Sequence, residues 1–558
     1  MKEKLSLETV IQYHDRSKHQ NNGYARGPGY LDWANQPEPF RRFDGAPLFN
    51  LPPLLTDTSP LFIDLFGTRK ILSEPVSPES LSQFLELSLA VSAWKQTGGM
   101  RWALRANPSS GNLHPTEGYL VLHKDAGIHS RPGVFHYAPK EHGLELRTEL
   151  SRETWDKLSE EYPVGTFFVG LSSIHWREAW KYGERAFRYC QHDIGHALAA
   201  LSVASASLGW SLVLLEGMSD KDIARFLGLA PENGFDGVEL EHPDLIAAVL
   251  PRAVSGEIPL VICKEALESV ANGCSWLGKA NRLSHDHVEW SAIENVAKAS
   301  AKPKTDEKKI LLKSGSMDWG ELNNDNRRKN LTSRQIIRQR RSAVAFDGTT
   351  SVSTSEFYAI LSLAQSVEKE KFPPWNAVSW RPSIHFVLFV HRVRGLESGL
   401  YFLTRNNYDA EILRHNLSPD FKWKKPKSCP AGLGLYLLAE GNCQQLAAQV
   451  SCGQEIAGKG SFSLGMIARF ENRLKEKGPW FYRRLFWESG MAGQMLYLAA
   501  EYTGVRGTGI GCYFDDPVHE ILGLPDQEFQ SLYHFTIGGP VEDKRLLTLP
   551  AYDWMSEG

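Results

Sequence analysis

The chain has little of what marks several protein classes. Its 558 residues hold seven cysteines, an odd number, scattered from Cys190 to Cys512 with no CxxC pair. That excludes a cluster of paired zinc ligands and points to reduced thiols in a cytoplasmic protein rather than a disulfide framework. Neither sign of charge dominates: 62 Lys and Arg stand against 65 Asp and Glu, a formal net charge of −3. Such a chain has no global field to draw in nucleic acid or an anionic membrane, and neither partner is expected. Met1–Leu7 is polar and lacks the apolar run of an export signal. One stretch, 194–215, carries no Asp, Glu, Lys or Arg and has the length of a membrane span. It also contains His196, Ser202, Ser205, Ser207 and Ser211, and Gly209-Trp210 divides it. It therefore reads as a buried helix leading into a buried strand. No GxSxG, Walker A or EF-hand pattern occurs.

What is present is an ordinary folded composition, 42% apolar and 23% charged, with 16 Trp and 26 Phe that suggest aromatic-lined interiors. Residues 1–60 read as an irregular aromatic extension that wraps a surface, and Tyr24–Trp33 within it as a lid over a site. Residues 61–265 alternate helical and strand patterns. Residues 266–330 read as a connector, solvated in its Lys-, Asn- and Ser-rich part from 296 onward. The patterns resume over 331–558.

The chain also repeats itself. A shift of 295 positions lays 187–229 on 482–524 without a gap, with ten of 43 positions identical, where chance gives about three. Gly195/Gly490, Gly209/Gly504 and Gly228/Gly523 are among the matches. A second block, at a shift of 274, lays Leu87-Ser88-Leu89-Ala90 on Leu361-Ser362-Leu363-Ala364 and Pro108-Ser109 on Pro382-Ser383. Two copies of one unit, each with an apolar helix, suggest a pseudo-two-fold dimer inside one chain.

Several segments are suited to chemistry. Arg338–Phe346 sets adjacent arginines before Ser342, a fork-and-hydroxyl arrangement that fits a phosphate, or else a solvated basic helix end. Arg105–Pro115 contains Pro108-Ser109-Ser110-Gly111-Asn112, a tight turn able to present donors to a planar heterocycle, or a plain turn. Gly507–Cys512 carries three glycines that permit close backbone approach but is not a GxGxxG fingerprint. Gly538–Arg545 is a late turn ending in Lys-Arg. Lys181-Tyr182 precedes the first apolar helix, and its duplicate positions hold Glu476 and Lys477. His192 and His196 stand at i, i+4, but no third ligand is evident, so no metal is expected.

In their order these segments resemble the FMN-dependent nitroreductase superfamily, and within it the SagB-type (thiazole/oxazole peptide) dehydrogenases. The likeness rests on Arg105-x-x-Pro-Ser-Ser-Gly-x-Leu-His-Pro, Lys181-Tyr182-Gly-Glu-Arg and the run from Tyr533 to Arg545. It implies an α+β architecture, a tandem duplicated nitroreductase-like fold forming an intrachain pseudo-dimer, with FMN between the halves. One site would combine Arg341, Ser342, Gly509, Ile510, Gly511 and Arg545 of the second half with Arg105, Pro108, Ser109, Ser110 and Asn112 of the first. The other combination has lost both sets: Gly67-Thr68 stands for Arg341-Ser342, and Pro382-Ser383-Ile384-His385 for the full turn. One FMN per chain follows. Lys181 and Tyr182 match the family's catalytic pair, which takes protons while the flavin takes hydride, a role that asks for a lowered pKa. The activity implied is hydride transfer between FMN and a small-molecule or peptide-derived substrate. The alternatives are an NAD(P)H-dependent reductase of quinones, nitroaromatics or enones, or a flavin-free scaffold of the same fold. NAD(P)H or oxygen would be the redox partner, and further association of chains stays open.

Overall fold

The computed structural model describes residues 2–252, 256–306, 309–312, 315–317, 330–365, 372–524 and 526–553. Each half is built on an antiparallel sheet whose central strands are near-continuous apolar runs, such as Phe167–Ser173 and Ile384–Val390, buried along their whole length. In the first half the strand order is Leu48–Asn50, Gly143–Glu149, Gly133–Ala138, Thr116–Leu122, Phe167–Ser173, His242–Leu250, Ser211–Leu214. In the second it is Gly434–Glu440, Gly399–Thr404, Ile384–Val390, Phe462–Arg469, Phe529–Gly538, Arg506–Ile510. Without the first edge strand the two orders are the same. The repeat seen in the sequence is thus a repeat of topology, and the α+β pseudo-dimer is what the chain forms.

Two 22-residue helices, Ala186–Ser207 and Phe481–Tyr502, lie between the halves and pack on each other. Gly195 and Gly490, one repeat apart, mark their closest approach. A Cβ on Gly195 would stand 2.2 Å from the Trp487 carbonyl oxygen, and one on Gly490 2.2 Å from that of His192. Glycine within a helix costs about 1 kcal/mol relative to alanine. Here the backbones come so close that no side chain fits, which accounts for its presence in both copies.

The stretch 194–215 forms the end of the first long helix and the strand Ser211–Leu214. Among the described residues no helix is long and apolar enough to cross a membrane. A second seam joins the halves: Leu547–Leu549, near the C-terminus, pairs with Val91–Thr97, which pairs with Met100–Arg105.

Two expectations are corrected. The N-terminal extension opens with a regular helix, Lys2–Arg16, whose Val10, Tyr13 and His14 are buried. The Tyr13 hydroxyl donates to the Glu184 carbonyl (2.6 Å), and Arg16 donates twice to the Glu184 carboxylate (2.6 Å each). The segment from 266 onward is not a bare connector. Helix Lys264–Gly273 buries Ala266, Leu267 and Val270 in a core of the first half, and Ser291–Ala299 buries Ile293 and Val296. Apolar residues at helical spacing, rather than overall polarity, were the signal there. Positions 307–308, 313–314 and 318–329 of that stretch lie outside the described residues.

Candidate functional site

A cavity of about 720 Å³ opens between the halves, a size that suits a small-molecule or cofactor site. The first half supplies the turn Asn107–Asn112 and, from its long helix and the turn before it, Tyr182, Tyr189, Asp193 and His196. The second half supplies Arg340–Val344, Tyr497, Arg506, Thr508–Cys512 and Tyr533.

The turn is held from beneath. Asp193 accepts hydrogen bonds from the Ser110 backbone N–H (3.1 Å) and hydroxyl (3.2 Å). The Ser109 hydroxyl accepts from the His114 N–H (2.8 Å), and Asn112 donates to the Ala103 carbonyl (2.8 Å). Gly111, Asn112 and His114 all take positive φ, of 58°, 60° and 51°. Such backbone strain persists only where surrounding contacts over-determine it, and it clusters at binding sites.

The opposite wall is cationic, with Lys95, Arg340, Arg341 and Arg506 around one end. Three of these have partners close by, Arg341 through Nη1 alone. Lys95 donates to the Thr548 hydroxyl (2.7 Å), Arg341 folds back on the Arg338 and Arg340 carbonyls (2.7 Å each), and Arg506 pairs with Glu542. Arg340 differs. It is buried, donates through Nη2 to the Arg105 carbonyl (3.0 Å), and leaves Nε and Nη1 without partners. Unsatisfied buried guanidinium donors are costly, so this is the group that asks for an anion. The expectation for the phosphate end named Arg341 and Ser342. Ser342 instead pairs with the Tyr497 hydroxyl (2.9 Å). Of the adjacent arginines before Ser342, Arg340 is the one that keeps buried, unpartnered donors.

Gly509, Ile510 and Gly511 line the cavity, and its glycines also stand close against tyrosines. A Cβ on Gly509 would lie 2.0 Å from the Tyr533 hydroxyl, one on Gly511 2.5 Å from the Tyr189 ring, and one on Gly111 2.4 Å from the Tyr182 hydroxyl. They make room for three tyrosines of the cavity. Gly509 and Ile510 sit in the strand Arg506–Ile510 rather than in a loop, and Gly509 donates its N–H to Tyr497 (2.8 Å).

Arg105 is buried, donates to the Pro39 carbonyl (2.7 Å) and keeps an unpartnered Nε, with burial bringing its pKa down to about 10. Tyr182 lines the cavity, but burial and the nearby Glu178 push its phenol well above the ordinary value. It holds its proton, contrary to the lowered pKa its expected role requires. Lys181 does not line the cavity; its ammonium stands 5.3 Å from the Tyr182 ring. Arg545 does not line the cavity, although its loop does at Val541–Asp543 and Leu546: its side chain is 85% exposed and is tied to Asp543. No residue of Tyr24–Trp33 lines the cavity. That segment lies instead on the turn at Gly183, where Glu184 donates to the Arg26 carbonyl (3.0 Å), and on Trp180.

Asp193 and Glu178, not singled out in advance, and the two histidines complete the site. Asp193 is buried, and burial holds its carboxyl up at about 7. Glu178, also buried, is pushed well above the carboxylate range by burial and by Asp193, and the Ser109 hydroxyl stands beside both. His196 pairs through Nε2 with the Tyr533 hydroxyl (3.1 Å), and burial brings its pKa down to about 3. His192 stacks on Tyr533 with ring centres 4.2 Å apart. The i, i+4 spacing of the two histidines was legible; their packing against a tyrosine from the other half was not.

Comparison with known proteins agrees with this layout. The model of the nitroreductase family matches residues 67–235 and again 337–539. A nitroreductase-like protein of Methanocaldococcus jannaschii is 23% identical over 167 residues, 29% of this chain and 79% of its own length. The crystal structure of a nitroreductase-like protein from Anabaena variabilis superposes with a TM-score of 0.66 at 22% identity, covering 96% of this chain and 99% of that one.

Proposed function

We propose, from the premise that the chain belongs to the nitroreductase family, that it is an FMN-dependent oxidoreductase binding one flavin per chain in the cavity between its halves. The observation that carries this is Arg340, with two unspent buried donors at the cationic end of a cavity large enough for a cofactor. Those donors fit a phosphate, and the turn Pro108–Asn112 across the cavity fits a polar planar ring. Arg340, seconded by Lys95 and Arg341, would hold the phosphate. FMN when bound supplies the hydride chemistry, and the protein supplies position and protons.

The protein's own part is proton management. Tyr182 is a neutral phenol at the cavity wall, beside Glu178 and Asp193. It can deliver a proton to a substrate atom that has just gained electrons. Asp193, poised at about 7, replenishes that proton or takes one up in the reverse direction. A dehydrogenase of the SagB type draws on Asp193 as base, since Tyr182 holds its proton. A reductase of quinones, nitroaromatics or enones driven by NAD(P)H draws on Tyr182 as acid. The raised phenol pKa counts against Tyr182 as a base, and so against the first direction, while making the phenol only a weak acid in the second.

The first test is the absorbance spectrum of the purified chain with its released cofactor identified. One FMN per chain is expected, and anaerobic NADPH should bleach it within seconds. Two flavins per chain would overturn the single composite site. A colourless chain that refuses added FMN would leave the scaffold reading. A flavin untouched by NAD(P)H would return the dehydrogenase direction to first place.

A further inference from the structure

A second reactive group lies on the same cavity wall and plays no part in the chemistry above. Cys512 follows Gly511 and lines the cavity. Its segment is laced to the turn that carries Cys452: the Phe514 N–H donates to the Val450 carbonyl (2.8 Å), and the Gln454 side chain donates to the Cys512 carbonyl (2.8 Å). These bonds bracket Cys452 and set its turn beside Cys512, and the two thiols are electrostatically coupled. Cys452 itself takes a left-handed φ of 54°.

The N-terminal extension adds a third group. His19 accepts the Ala25 N–H at Nδ1 (3.0 Å), which leaves Nε2 to carry the proton of the neutral ring and to face Cys512. The His19 backbone N–H is fixed to Asp515 (2.9 Å). Arg185, buried between Asp515 (2.9 Å) and the Gly511 carbonyl (3.3 Å), brings positive charge to the same place. The charged and titratable groups facing Cys512 are therefore Cys452, His19, Arg185, Asp515, the cavity tyrosines Tyr182 and Tyr189, and the more distant Tyr24. The neighbouring Cys452 thiol and His19, with Arg185 behind them, hold the Cys512 thiol below the ordinary thiol range. Burial pushes the thiols of Cys190, Cys274, Cys429 and Cys443 up.

We propose that Cys512 is a nucleophilic thiol and Cys452 its resolving partner, together forming a site that reduces low-molecular-weight disulfides. The Cys512 sulfur attacks one sulfur of RS–SR, forms a Cys512–SR bond and expels RS⁻, which takes up the proton Cys512 gave up. The Cys452 sulfur then attacks Cys512, loses its own proton to the departing second RS⁻, and closes a Cys452–Cys512 disulfide. One disulfide is reduced to two thiols, and two cysteines are oxidised to one cystine. No flavin takes part, so the site stands or falls apart from the FMN proposal. Closure ties the turn at 450–454 covalently to the wall that carries Gly509–Gly511.

The test is to incubate the full chain with oxidised glutathione, digest it without reductant and map its cysteines by mass. A joined Cys452–Cys512 peptide is expected. In Cys452→Ser, one glutathione should remain on Cys512. Iodoacetamide at pH 6 should alkylate Cys512 at least tenfold faster than Cys263, Cys274 or Cys429. Absence of the joined peptide, glutathione spread over the other cysteines, or a Cys512 no faster than those three would each overturn the proposal. The cross-link and the alkylation rates are read on the natural chain, so a misfolded variant cannot obscure the answer.

Discussion

Asp193 and Glu488 occupy corresponding places in the two halves, 295 positions apart, and each holds a Pro-Ser turn by its backbone N–H groups. Asp193 takes that of Ser110; Glu488 takes those of Ser383 (3.0 Å) and Ile384 (3.1 Å). The surroundings then diverge. Glu488 is paired with the buried Arg405, and Arg473 donates to the Ser383 hydroxyl (2.9 Å). Where the second half has Arg473, the first has Glu178. Where it has Arg484, stacked 3.6 Å over Trp487 and flanked by Trp380 and Trp480, the first has Tyr189 at a cavity wall. One copy of the turn is thus closed by cations and indoles. The other is left with two carboxyls, no ion pair among the described residues, and open space. Duplication lets one position serve the fold while the other stays polar, strained and available, a division that a symmetric pair of identical chains cannot make.

The sharpest way to break this comparison is to neutralise each carboxylate in turn. Glu488→Gln leaves Arg405 charged and buried without its partner, which costs about 3–5 kcal/mol. Asp193→Asn removes no ion pair and keeps an acceptor for Ser110, so about 1 kcal/mol or less is expected. Thermal denaturation of the two variants side by side reads the difference. Equal losses would mean that both carboxylates are merely structural.

Next in size is Arg340→Met. Losing two charge-assisted hydrogen bonds is worth about 3 kcal/mol, or roughly 100-fold in flavin affinity. Arg484→Met, in the closed position, should leave flavin affinity unchanged and lower the melting temperature instead. Fluorescence titration with FMN distinguishes the two. A comparable loss of flavin in Arg484→Met would place flavin in the second position as well.

Much of this asymmetry was legible in the chain, for a physical reason. Glycines at a helix crossing and a turn rich in Pro, Ser and Asn are local demands, and local demands leave local signatures: Gly195/Gly490 and Pro108–Asn112 showed where the halves meet and which turn survives. The duplicated fold, read from residue matches, is the fold found. The rest depended on contacts between distant segments. Whether Arg340 or Arg341 keeps free donors is decided by which way each guanidinium turns against the Arg105 and Arg338 carbonyls. The protonation of Tyr182 is decided by burial beside Glu178, and spacing does not report burial. The N-terminal helix went unread because its mixed face packs on a segment taken for a connector.

Asp193 also gives a pH signature. An exposed aspartate ionises near 3.9, whereas in the fold Asp193 keeps its proton up to about 7. Between those values the unfolded chain binds fewer protons than the folded one, so stability falls as pH rises through that window. Asp244, held up at about 6, acts in the same direction and persists in the variant. The measurement is therefore the difference between the natural chain and Asp193→Asn, whose melting temperature should fall less steeply from pH 4 to pH 7. Parallel slopes would show that Asp193 is ionised throughout and holds no proton for the site.

The smallest expected effect tests the resemblance itself. The family likeness assigns Arg545 to the phosphate, and the open site would then owe part of its affinity to the late turn. In the structure Arg545 is solvent-exposed and satisfied by Asp543 in its own loop. An exposed pair of that kind contributes little, because solvent screens it. Arg545→Ala should therefore change FMN affinity by less than about threefold, against the roughly 100-fold for Arg340→Met. A drop of tenfold or more would mean that the loop 541–546 swings inward when an anion arrives, breaking the Asp543 pair to bring Arg545 over the cavity mouth. The cationic end would then be completed by the ligand rather than preformed, and Asp543→Asn, which frees Arg545, should raise affinity where Arg545→Ala lowers it. If both variants match the natural chain, the anion is held by Arg340 and its neighbours alone.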